Sequence, residues 1–196
     1  MGASGIIGIL LAAGRGTRFG GAKLLARVGD GDLPGESIGV VALRHLRLAV
    51  PEVVAVVHTD DHALASALGA NGARIVRCDD ADEGMGVSLA CAVRAAPRAQ
   101  GWVVALADMP WIAPATIVRV ADAVAGGAVI AAPFHRGDRG HPVGFGTACY
   151  DPLVALTGDE GAKRVVAAHR DRIARIDVDD PGILRDVDTP ADLTSG

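Results

Sequence analysis

The residues with the most evident chemistry lie between 10 and 23, in LLAAGRGTRFGGAK, where an apolar run breaks into Gly14, Gly16, Gly20 and Gly21 interleaved with Arg15, Arg18 and Lys23. Glycines let backbone N–H groups turn toward a ligand without Cβ obstruction, and cations beside them neutralise phosphate charge. The stretch reads as a phosphate cradle, the alternative being a surface loop with solvated cations. It is not a Walker A loop, because Ala22 stands where lysine must follow the Gly16–Gly21 spacing. Nor is it the dinucleotide fingerprint, because Phe19 replaces the third glycine.

Four further stretches could share that chemistry. In LADMP, Asp108 ends an apolar run and could hold Mg²⁺ against phosphate oxygens, or could cap a helix beginning near Pro114. In RDVDTPADL, Asp186 and Asp188 alternate around Val187 and so share one side of an extended chain. They could supply a second metal ligand, or serve only turn and capping needs; in the latter role Thr189 is an N-cap and Asp192 completes a capping box. In DEGMGVSLA, Gly84, Gly86 and Ser88 could let a helix N-terminus approach a nucleobase or sugar. In RGDRGHPVGF, Gly140 and His141 could line a pocket, although glycine loops also arise simply to make turns. His58 and His62 span a strand end and a helix start without an HExxH pattern, so a zinc site is not expected. Lys163 and Arg164 open a helix and could reach a substrate phosphate or remain solvated.

Such residues need a rigid frame, and the remaining pattern supplies one. IIGIL (6–10), VVAVV (53–57), ARIVR (73–77), WVVALA (102–107) and AVIAAP (128–133) read as strands buried on both faces. Between them, 37–49, 61–70, 85–96 and 113–125 are Ala- and Leu-rich with helical period. Strand alternating with helix implies βαβ units and a mostly parallel sheet between helix layers, an α/β/α sandwich of Rossmann-like type. After residue 134 the pattern loosens into a glycine-rich loop and short strand, a helix at 159–169, a strand at 172–178 and a short helix at TPADL. Ligands of open parallel sheets bind beyond the carboxyl ends of the strands, where the first loop and Asp108 both fall.

Bulk properties narrow the class. The chain of 196 residues suits one domain spanning 1–196. No apolar stretch approaches the ~20 residues of a membrane span. The N-terminal MGASGIIGILLAAG lacks a basic residue ahead of its apolar run, so a secretory signal is not expected. Cys78, Cys91 and Cys149 form no framework and no CxxC, which fits a reducing cytoplasm. A net charge of −4 argues against a general nucleic-acid binder. It leaves room for a local anion site, since Arg15, Arg18, Lys23 and Arg27 all precede the first acidic residue, Asp30.

Together LAAGRGTRFGGAK, GMGVSLACAV, LADMP, RGHPVGF, GDEGAKRV and DVDTPADL resemble, in order and approximate spacing, the MobA-like nucleotidyltransferases, in particular molybdenum cofactor cytidylyltransferases. The resemblance covers almost the whole chain. It implies a nucleotide-diphospho-sugar transferase-like fold and Mg²⁺-dependent transfer of CMP from CTP to a molybdopterin-type cofactor, releasing pyrophosphate. It implies catalytic roles for Lys23, Arg18 and Asp108, and nucleotide contacts from Leu11, Ala12, Ala13, Gly14, Arg15, Gly16, Arg18, Lys23, Gly84, Gly86 and Ser88. Asp108 and Asp188 would be the metal ligands, with Asp186 a companion, and Gly140, His141 and Lys163 would face the acceptor. A second alanine before the loop glycine, Ala13, looks like the cytidylyl type, where the guanylyl type carries Leu-Ala-Gly-Gly. The implied partners are CTP or another NTP, a phosphorylated acceptor and, transiently, a molybdoenzyme or its chaperone, with neither nucleic acid nor membrane. Two rivals remain: a related transferase using GTP on the same cofactor or CTP on another phosphorylated acceptor, and a non-catalytic protein that binds and delivers a nucleotide or pterin.

Overall fold

The first apolar run becomes β1 (Ile6–Ala12), paired in parallel with β2 (Val53–His58) on one side and β4 (Gly101–Leu106) on the other. In this computed structural model, which describes residues 5–14, 19, 22–29 and 35–193, eight strands form one mixed, mostly parallel sheet. The others are β3 (Arg74–Cys78), β5 (Ile130–His135), β6 (Asp138–Arg139), β7 (Val143–Gly146) and β8 (Ile173–Asp177). Their order is β3-β2-β1-β4-β7-β5-β6, with β8 pairing β5 in parallel. β7 departs from the parallel expectation by inserting antiparallel between β4 and β5. β3 departs from the doubly buried expectation: it is a sheet edge whose residues are exposed or half-buried until Cys78.

Among the described residues, six α-helices cover the two faces. α1 (Ile38–Ala49), α2 (His62–Ala70) and α4 (Pro114–Ala125) contribute buried residues to one apolar cluster. α3 (Met85–Arg94), α5 (Tyr150–Val154) and α6 (Lys163–Ala168) contribute to the other. The period-2 alternation of β1 joins the clusters, Leu10 and Ala12 facing the first and Ile9 the second. Both layers therefore grip the central strand, which fixes where its carboxyl end delivers the glycine loop. No helix among the described residues is long and apolar enough to cross a membrane.

Candidate active site

A cleft of about 430 Å³ opens beyond the carboxyl ends of β1 and β4. Leu11, Ala13 and Gly14 line it from β1, Lys23 and Leu24 from a 3-10 turn (Lys23–Leu25), and Leu106 and Asp108 from β4. Ala81, Asp82, Gly84, Met85 and Ser88 form the wall at the start of α3, joined by Asp159. Ala12 does not line it: strand alternation turns its side chain into the core on the opposite face. An added Cβ at Gly14 would meet no atom of the described residues within 4 Å. Arg15, Gly16 and Arg18 lie outside the described residues.

Lys23 is the centre of charge in the cleft. Its Nζ donates to Asp108 Oδ2 at 2.8 Å and lies 4.0 Å from Asp188 Oδ1, with the lysine side chain only 12% exposed. Asp188, and not Asp186, is the member of the RDVD pair that comes this near. The cause is local: buried Val187 donates its N–H to Asp108 O at 2.9 Å, aligning the two carboxylate-bearing segments. Just beyond, Asp192 Oδ2 accepts from the N–H groups of Asp188 and Thr189 and from the Thr189 hydroxyl, which is half of the expected capping box, since Asp192 N–H donates to the Thr189 carbonyl and not to its hydroxyl. Those Thr189 and Asp188 bonds hold the Asp192 carboxyl below the usual carboxylate range.

The donor set suits a hard divalent ion. Carboxylate oxygens from two segments already surround an ammonium, so the place accommodates positive charge, and Mg²⁺ is commonly held by one or two carboxylates plus substrate phosphates. Among the described residues no group of three or more His, Cys, Asp or Glu side chains stands ready to hold a metal unaided. His58 instead pairs with acidic neighbours, its Nε2 lying 3.4 Å from Asp82 Oδ2. Burial pushes the Cys78 thiol up to about 11 and raises that of Cys149, so neither is an activated nucleophile.

The remaining expected residues fall differently. Ser88 and Gly84 line the cleft, but Gly86 does not: its N–H donates to Gly158 O at 2.8 Å, and an added Cβ would lie 2.7 Å from Thr157 O. The glycines at 84 and 86 thus let the 157–159 loop dock on α3, carrying Asp159 to the cleft wall. Gly140, His141 and Lys163 do not line the cleft either. A Cβ at Gly140 would lie 2.3 Å from Ile183 O, so that glycine accommodates the chain itself. His141 donates its N–H to the same carbonyl at 3.0 Å, and its buried Nδ1 has no partner among the described residues. Burial and then Arg139 push its pKa down to about 4. Lys163 is exposed at the start of α6.

One polar residue escapes sequence reasoning altogether. Buried Asp180 accepts from Ala113 N–H at 3.0 Å and the Thr116 hydroxyl at 2.6 Å, and so occupies the helix-capping role open to Asp108. It lies 67 residues from Ala113, beyond any local capping pattern.

A carboxyl-end cleft that sets a lysine between carboxylates, in this sheet order, suits an anionic ligand accompanied by a metal ion. The chain belongs to the family described as the MobA-like NTP transferase domain, whose model matches residues 8–173. It is 31% identical to the purine catabolism protein PucB of Bacillus subtilis (strain 168), over 94% of this chain and 92% of that one. The crystal structure of Rv0371c from Mycobacterium tuberculosis H37Rv is 29% identical, with a TM-score of 0.82 covering 97% of both chains. A manganese complex of Rv0371c matches with a TM-score of 0.77 at 29% identity, over 98% of this chain and 100% of that one. The fold also matches 4-diphosphocytidyl-2C-methyl-D-erythritol synthase from Anaerococcus prevotii DSM 20548, at 12% identity and a TM-score of 0.74 over 98% and 94% of the chains.

Proposed function

We propose that this nucleotidyltransferase acts in the cytoplasm as a single domain, moving CMP from CTP to the terminal phosphate of a molybdopterin-type cofactor. The observation that carries the reading is Lys23 Nζ held between Asp108 and Asp188 at the mouth of the β1 loop. The acceptor's phosphate oxygen attacks the α-phosphorus, the α–β phosphoanhydride bond breaks, and pyrophosphate leaves. An anionic phosphate nucleophile needs no activating base.

What the chain must do is bring two polyanions together and stabilise the leaving charge. Lys23 supplies positive charge there, the family resemblance assigns the same task to Arg15 and Arg18, and at Gly14 no described atom keeps a phosphate from the backbone. Mg²⁺, when bound by Asp108 and Asp188, would neutralise phosphate charge and orient the departing pyrophosphate. Leu11 and Ala13 floor the nucleoside side, and the Ala13 methyl narrows the space a purine would need. The manganese complex of Rv0371c supports a divalent-ion requirement.

A pyrophosphate-release screen of the four ribonucleoside triphosphates, with Mg²⁺ and with molybdopterin cofactor or other phosphorylated acceptors, tests the reading. Turnover with CTP and the cofactor is expected. A clear GTP preference would overturn the base assignment, and ligand-induced stabilisation without turnover would make the protein a delivery module.

A further inference from the structure

Two stretches far apart in sequence, 108–113 and 180–188, run antiparallel away from the cleft at Asp108 and are joined at both ends and in the middle. At the cleft end, Val187 N–H donates to Asp108 O at 2.9 Å. In the middle, the chain at Gly182 presses onto Trp111, where an added Cβ would lie 2.1 Å from the Trp111 carbonyl oxygen. There too the Arg185 guanidinium lies 3.8 Å from the centroid of the Trp111 ring. At the far end, Asp180 Oδ2 accepts from Ala113 N–H and the Thr116 hydroxyl, while its Oδ1 accepts from Gly182 N–H at 3.0 Å.

We infer that Asp180 is a positioning residue for the carboxylate pair: it anchors the far end of this zipper and so sets how near Asp188 comes to Asp108 and Lys23. The inference rests on the reading of Asp108 and Asp188 as the metal-holding pair. Each carboxylate lies at the cleft end of its segment, and Asp180 ties together the two ends that lie away from it. Both oxygens of Asp180 are used, by donors from three different residues, and the side chain is buried with Thr116. A buried carboxylate bound to backbone N–H and hydroxyl groups fixes its neighbours tightly, because releasing any donor leaves a desolvated polar group unpaired. Gly182 belongs to the same device, since any side chain there would push Trp111 and the segment apart.

A cap and a positioning anchor make different demands. A cap for α4 alone affects the amount of folded protein and leaves the cleft of the folded molecules unchanged. An anchor changes the affinity of the folded molecules for a divalent ion.

The test is a Mn²⁺ titration of the full chain by electron paramagnetic resonance, with the folded fraction followed by circular dichroism. Asp188→Asn serves as the reference for direct loss of a ligand. Asp180→Asn is expected to weaken Mn²⁺ binding about tenfold in the folded protein, in the range for supporting partners of metal ligands. Thr116→Val, which removes only the hydroxyl donor, is expected to weaken it roughly threefold. A folded Asp180→Asn protein that binds Mn²⁺ as tightly as wild type overturns the inference. If Asp180→Asn does not fold, wild-type Mn²⁺ affinity in Thr116→Val overturns it instead. If wild type releases no pyrophosphate from any triphosphate while the graded loss of Mn²⁺ binding persists, the transfer reaction is misassigned and the positioning role stands.

Discussion

The loop at Gly14 and the loop at Gly140 are both glycine-rich and both follow a strand, yet they use glycine for opposite purposes. At Gly14 no atom of the described residues would meet an added Cβ, and the cleft it lines carries the Lys23 ammonium and the Asp108 carboxylate. At Gly140 the space is filled by the Ile183 backbone, and the adjacent His141 imidazole is buried and neutral. Among the described residues, nothing fills the space at the first glycine, whereas the chain itself fills it at the second. Glycine content alone therefore does not mark a ligand loop. What marks it is unfilled volume facing charges that the fold has brought together at the cost of desolvation.

That contrast can be broken by substitution. The largest effect is expected at the charged end: Lys23→Ala and Asp108→Ala should fold normally and lose about 10² to 10³ in rate, the usual cost of removing one charge-stabilising group. Wild-type rates in steady-state pyrophosphate release would refute the assigned roles. At the other loop, His141 links stability to pH. Its folded pKa of about 4 lies below the unfolded value of 6.5, so the unfolded chain binds the proton first as pH falls. Its contribution is thus present above pH 6.5 and is lost as pH drops from 6.5 toward 4, by up to about 3 kcal/mol. Urea melts of wild type and His141→Gln across that window should show the slope flattened in the variant; equal slopes would place the imidazole in water.

A smaller pair sharpens the comparison directly. Gly140→Ala is expected to lose about 1 to 3 kcal/mol, a Tm drop of a few degrees, because its methyl meets a backbone oxygen. Gly14→Ala should leave Tm almost unchanged while raising KM for the triphosphate. Calorimetry and kinetics on both variants check this, and a reversed pattern would exchange the roles of the two loops. The smallest effect is expected for Ala13→Gly, which should shift the CTP-to-GTP ratio of kcat/KM toward GTP by about tenfold, the worth of a methyl group in a pocket. An unchanged ratio would show that Ala13 does not read the base.

Much of this architecture was legible in the chain. The β-branched runs at 6–10, 53–57 and 102–107 became the three central strands because both their faces must be buried, and hydrophobic period reports that demand directly. The edge position of β3 was hidden, since ARIVR has the composition of an inner strand and only the absence of an outer neighbour exposes it. The antiparallel insertion of β7 was hidden for a similar reason, because pairing direction is set by the return path of the chain. At the site, Lys23 and Asp108 stood out as charges beside apolar runs, whereas Asp188 was set apart from Asp186 only by the family resemblance. Asp180 did not, because its partners Ala113 and Thr116 are ordinary residues whose need for an acceptor exists only once α4 has formed. Gly86 and Gly140, unlike Gly84, lie away from the cleft, because a sequence shows that a Cβ is absent and says nothing of what fills its place.

The most direct test is a crystal structure with CTP and Mn²⁺, located by its anomalous scattering. The account predicts one manganese peak bridging Asp108, Asp188 and the triphosphate, with Lys23 on the phosphates and the base over Leu11 and Ala13. A manganese ion bound elsewhere, or a triphosphate that shares no ion with Asp108, would contradict it.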